Sequence, residues 1–162
     1  MVEMKEYNEA KERIAELGEE KIRPYGGVPF SAIDECEKLL SVVFPMDYRA
    51  FLHDFGGGEF CYSSFTGISE TNPLGTDGTD LVWSTLDARK MANLPHDYVL
   101  IEWDDMGGGI VLNCTNGEVC STELNPEMPE NINPIFPSFG AYLRHVLSLG
   151  IDSQENHAEG AE

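Results

Sequence analysis

The chain has 162 residues, with 29 Asp and Glu against 10 Lys and Arg, for a formal net charge of −19 at pH 7. Nucleic acids and anionic membranes are met by clusters of Lys and Arg that displace condensed counterions, and the sequence has no such cluster. A hydrophobic content of 41% with 10% aromatics belongs to a folded chain, and the length suits one domain with its own core.

In chain order, Tyr7, Ala10, Ile14 and Leu17 recur at helical steps and predict a helix over residues 4–19 that Gly18 ends. The first twenty residues are charged and lack the apolar centre of a secretory leader. No apolar run approaches the ~18 residues that span a bilayer, so a cytoplasmic protein is expected. Residues 1–22 are read as an N-terminal helical segment, 23–151 as the main domain and 152–162 as an acidic, disordered tail.

Residues 23–29, with two prolines and two glycines, predict a loop. Ser31 is the expected cap of the next helix, whose buried stripe is Ile33, Leu40 and Val43, with Cys36 or Glu37 between. Phe44-Pro45 marks a boundary, and a further helix starts at Pro45 or Met46 with Asp47 in its first turn. Tyr48, Phe51, Leu52 and Phe55 form its apolar face, and Gly56-Gly57-Gly58 stops it.

Beyond Gly58 the period changes. A short strand is expected at residues 59–62, a loop with room for a strand fragment at 66–80, and at 81–83 either a strand or the entry to a helix over 84–92. Residues 98–102 predict a strand. Residues 110–113 and 118–121 predict a hairpin around Asn116-Gly117, in which Cys114 faces Val119 and Asn113 faces Cys120. Ile110, Leu112, Cys114 and Val119 then share the core face. Cys114 and Cys120 lie on opposite faces, so with Cys36 and Cys61 they are expected as reduced thiols. Residues 124–137 contain four prolines and predict a loop. Ser138 caps a last helix bearing Phe139, Tyr142, Leu143, Val146 and Leu147, which Gly150 closes. The expected fold is a single α+β domain: an antiparallel sheet of about four to six strands, with helices N-terminal to it and one C-terminal.

Catalytic and cofactor motifs are not recognisable. Neither Gly56–Gly58 nor Gly107–Gly109 leads into the Lys of a phosphate loop. Glu102, Asp104 and Asp105, like Asp77 and Asp80, lack the spacing of a calcium loop. His53, His96, His145 and His157 stand in no nucleophile or zinc motif. No catalytic, cofactor or metal residues are therefore assigned. The acidity is uneven: residues 56–135 hold 13 acids and 2 bases, a net −11, whereas residues 1–30 carry only −2. Trp103, between a strand and the acids, suits either a core or rim aromatic or an exposed interface anchor.

The order of these elements resembles the SUKH superfamily of Smi/Knr-like domains. The likeness rests on the helix from Ile33 to Leu40, then Phe44-Pro45-Met46-Asp47-Tyr48, Phe51-Leu52 and Phe55-Gly56-Gly57-Gly58. It continues through the strand Tyr98 to Trp103, the Gly107–Gly109 turn, the hairpin and the Phe139 helix, about residues 28–150 in all. The resemblance implies a binding protein without shared catalytic residues. Many bacterial members are immunity proteins against polymorphic toxins, often nucleases, and yeast members are regulatory scaffolds. For this chain it implies a cytoplasmic inhibitor of a basic toxin. The expected contacts are Glu59, Asp77, Asp80, Glu102, Asp104 and Asp105, with Trp103 as anchor. A regulatory scaffold, and a hydrolase using the acids, are the other classes.

Overall fold

The computed structural model describes residues 2–104, 107–125 and 131–160. Its elements are α1 (Val2–Leu17), β1 (Ile22–Pro24), α2 (Phe30–Leu40), α3 (Met46–Phe55), β2 (Gly58–Phe60), β3 (Ser63–Phe65), α4 (Leu81–Ala92), β4 (Tyr98–Trp103), β5 (Gly109–Asn113), β6 (Val119–Thr122), β7 (Ile132–Phe136) and α5 (Phe139–Gly160). The seven strands form one antiparallel sheet in sequence order, a meander, within an α+β domain. That is more strands than the four to six expected. The proline content of residues 23–29 and 124–137 predicts loops, yet β1 and β7 form there and carry Pro24 and Pro134. Both strands lie at sheet edges, where a missing N–H is tolerated.

Several helix boundaries follow the sequence. α1 ends before Gly18 (φ +77°), and α3 begins after Pro45 and stops at Gly56 (φ +73°). Others depart from it. α2 is entered from Pro29, already extended at φ −68° and ψ 155°, so Ser31 lies inside the helix and does not cap it. Ser41 turns left-handed (φ +58°) and ends α2 early, which leaves Val43 off the buried stripe and 74% exposed. Gly150 does not end α5, which runs to Gly160; a single glycine costs only about 1 kcal/mol within a helix. Ser138 does cap α5, accepting the Ala141 N–H at 3.1 Å.

The larger core cluster lies between one face of the sheet and α1, α2, α3 and α5, around the rings of Tyr48, Phe51, Phe60, Phe65 and Phe139. Full burial of one such ring is worth about 1.5–3 kcal/mol. A buried carboxylate ties two helices together here. Asp47, on α3, accepts the Tyr48 N–H at 2.8 Å and the Gly140 N–H of α5 at 2.9 Å. Gly140 also lets α1 cross closely, because a Cβ there would meet the Tyr7 backbone. Tyr7 in turn donates to Asp54 at 2.7 Å.

The hairpin register is displaced by two residues from that expected. Leu112 pairs with Val119 and Val111 with Cys120. The Asn113 side chain accepts the N–H groups of Thr115 (2.9 Å) and Asn116 (3.3 Å), and this favours a longer turn over the two-residue Asn-Gly form. An even displacement preserves the faces. Ile110, Leu112, Cys114 and Val119 pack on the large core, Val111 and Cys120 on the other side, and all four cysteines are free.

That other side is a smaller cluster of Ala88, Leu94, Leu100, Val111 and Cys120, covered by α4. Residues 81–83 thus belong to a helix. The Thr85 hydroxyl accepts the Leu100 N–H at 2.9 Å, which anchors α4 to β4.

Candidate functional site

Some of the acids are balanced by neighbouring bases and others are not. Lys11 pairs with Asp54, Arg13 with Glu16, Arg23 with Glu59, Arg49 with Asp34 and Glu37, and Arg144 with Glu9. Among the described residues, no ion pair reaches Glu70, Asp77, Asp80 or Asp87. The bases of that region are Arg89 and Lys90, and Arg89 donates to the His96 carbonyl at 3.0 Å.

The loop before α4 is built from its own aspartates. Asp77 accepts the Thr79 N–H at 2.8 Å and its hydroxyl at 2.6 Å. These bonds hold the Asp77 carboxyl below its usual pKa, so it stays charged near neutrality. Asp80 accepts the N–H groups of Thr76 (2.8 Å) and Asp77 (3.3 Å). The loop is stitched to Gly67 by Gly67 N–H to the Thr79 carbonyl (2.9 Å) and by Leu81 N–H to the Gly67 carbonyl (2.8 Å). Tyr25, 49% exposed, lies over Gly67. Partial burial raises its phenol pKa, and the fields of Glu59, Asp80 and Asp77 raise it further. Of the sequence-predicted contacts, Asp77 and Asp80 are thus held together in one loop, and Glu59, on β2, is paired with Arg23.

A β-bulge at Ile101 precedes Glu102 and Trp103 in β4. Register shifts between Leu100 and Glu102, so Glu102 pairs with Ile110 and Trp103 with Gly109. Glu102 thereby turns toward α5 and accepts the Tyr142 hydroxyl, and burial raises its carboxyl pKa. Trp103 turns toward α4 as a half-buried peg. Its indole N–H reaches the Gly78 carbonyl and the Ser84 hydroxyl oxygen, both at 3.1 Å, and so fixes the acidic loop from behind. The exposed Asp104 accepts the Gly108 N–H at 2.8 Å and shapes the β4–β5 turn. Asp105 lies outside the described residues. The structure thus gathers Asp77 and Asp80, and directs Glu102 and Trp103 to opposite faces of the sheet.

The structure adds residues that the sequence did not single out. Trp83 (36% exposed) and Leu86 (37%) face outward from α4 beside Leu74 (50%), around a shallow depression of about 370 Å³ that Gly75, Asp87 and Lys90 complete. Positions 83, 86, 87 and 90 share one helical face, opposite the buried Leu81, Thr85 and Ala88. A helix apolar on both faces was the available signal. A larger groove of about 710 Å³ lies between the end of α2 and Cys114, but its Asp34 and Glu37 are already held by Arg49.

Among the described residues, no group of three or more His, Cys, Asp or Glu is placed to hold a metal ion, and no helix is long and apolar enough to cross a membrane. A family model described as SMI1-KNR4 cell-wall matches residues 31–143, more than two thirds of the chain, from α2 into α5. No curated protein matches the chain.

Proposed function

The chain belongs to the SMI1-KNR4, or SUKH, family, and from that membership we propose that it is an immunity protein that binds and neutralises a cognate polymorphic toxin, a nuclease. It acts in the cytoplasm by binding alone, without catalysis. The observation that supports this reading is the set of carboxylates at Glu70, Asp77, Asp80 and Asp87, which no ion pair in the described residues balances. A nuclease attracts polyanions and has a basic cleft. An inhibitor whose acids stand on a fixed loop is steered to that cleft, with association raised about 10–1000-fold, and occludes it.

The test is co-expression with the protein encoded by the adjacent gene. The neighbour is expected to be toxic alone, harmless with this chain, and recovered with it as a complex. The association rate is expected to fall steeply with ionic strength. If no neighbour is toxic and rescued, the immunity function is wrong and a regulatory scaffold of the Smi/Knr type takes its place.

A further inference from the structure

We infer that the partner docks on the outer face of α4 and the loop in front of it, with Trp83 as the anchor, and that it presents there a projecting apolar side chain flanked by Lys or Arg. This rests on the binding function proposed above and adds the surface and the chemistry of what it meets.

Large side chains exposed singly are ordinary, but a contiguous apolar patch ringed by polar groups marks a contact surface. Leu74, Trp83 and Leu86 form such a patch around one depression, which has room for a partner side chain. Tryptophan is the residue type most enriched at positions that dominate binding energy. Trp103 is a poorer anchor, since its N–H is spent on Gly78 and Ser84. The patch is also rigid. Trp103 holds the loop, Thr85 ties α4 to Leu100, and Ser84 donates to the Gly78 carbonyl at 3.0 Å, so little ordering remains to be done on binding.

Charge selects the occupant. Asp87 and Lys90 line the depression, Asp80 packs against its Gly75, and Asp77 is bonded to Asp80 in the same loop, so acids outnumber bases around the patch. A second copy of this chain would set acids against acids, which opposes association. The partner is therefore a protein surface that pairs an apolar knob with basic residues.

The experiment uses the full chain labelled with nitrogen-15 and, as probe, a synthetic helical peptide with Leu and Lys along one face. The largest shifts are expected at the Trp83 indole and at the amides of Leu74, Asp77 and Leu86. Trp83→Ala is expected to weaken the peptide about 30-fold. Asp87→Lys, a change at a half-buried residue outside the core, is expected to lower the association rate and flatten its salt dependence. Shifts centred on the Val42–Cys114 groove, or equal binding by both folded variants, would overturn the inference. A second arm uses the adjacent gene's product. If it binds wild type and Trp83→Ala equally, the surface is wrong and the immunity function stands. If it binds neither while the peptide maps to Trp83, the immunity function is wrong and the surface stands.

Discussion

Trp103→Phe keeps a ring against the small cluster but removes the N–H that reaches the acidic loop. That N–H is shared between the Gly78 carbonyl and the Ser84 hydroxyl oxygen, each at 3.1 Å. The Gly78 carbonyl keeps one partner afterwards, because the Ser84 hydroxyl still donates to it at 3.0 Å. The loss is then one shared hydrogen bond plus the packing of the smaller ring, about 1–2 kcal/mol. For a chain of this length each kcal/mol lowers Tm by about 2–4 °C, so a fall of about 2–8 °C is expected. If the peg holds the loop, the free energy of loop opening falls by a similar amount. Amide exchange across residues 76–84 then accelerates by at least about fivefold, while β5 and β6 change only as the global stability does. Hydrogen exchange read by mass spectrometry on peptides covering residues 74–84 and 109–122 separates the two. Unchanged exchange at 76–84 beside a lowered Tm would refute the peg. If partner binding were also abolished with the loop unaltered, Trp103 would itself be the contact residue.

Asp47→Ala strips two backbone donors of a buried, charged acceptor, and a loss of about 3 kcal/mol is expected in denaturant titration, with Asp47→Asn intermediate; equal stability of Asp47→Ala and wild type would remove the carboxylate from the α3–α5 link. Burial raises the Glu102 pKa in the folded state, so the folded chain binds more protons there than the unfolded one, and this residue's contribution is fully present below the unfolded carboxylate pKa and lost as pH rises through the raised value. Stability of Glu102→Gln is therefore expected to fall less with rising pH across that window, and identical pH profiles from denaturant titrations would contradict the assignment. Burial pushes the Cys36 thiol up to about 12 and the Cys120 thiol up to about 11, so a thiolate-seeking disulfide reagent at pH 8 should leave both unmodified until denaturant is added; rapid modification of either in the native protein would show that it is not buried as described.

The segments legible from sequence are those whose signals are local. α3 is framed by Pro45, Asp47 and Gly56, and α5 by Ser138 and its stripe from Phe139 to Leu147, so each helix announces its own start and its buried face. The core face of the β5–β6 hairpin is legible too, although its register is not, because the Asn113 side chain competes with the Asn-Gly turn for the same backbone donors. Three-residue strands carry too little pattern. Ile22–Pro24 becomes a strand only by pairing with residues 58–60. The site follows the same division. Asp77 and Asp80 belong to one short loop and could be grouped from sequence. The roles of Trp83 and Trp103 depend on which side of β4 receives α4 and on a bulge near Ile101, neither of which leaves a local trace.

The two prolines at the sheet margins bear on how this molecule meets others. Many domains recruit a peptide by letting it lengthen a sheet, with main-chain hydrogen bonds supplying the affinity. Here the outermost strands each carry a residue with no N–H to offer, Pro24 at one end of the meander and Pro134 at the other. A visiting strand would find an interrupted ladder on either side. Both edges therefore offer a peptide less main-chain pairing than an uninterrupted strand would. A surface that reads side chains can change partner by a few substitutions on one helix while the sheet beneath it stays as it is.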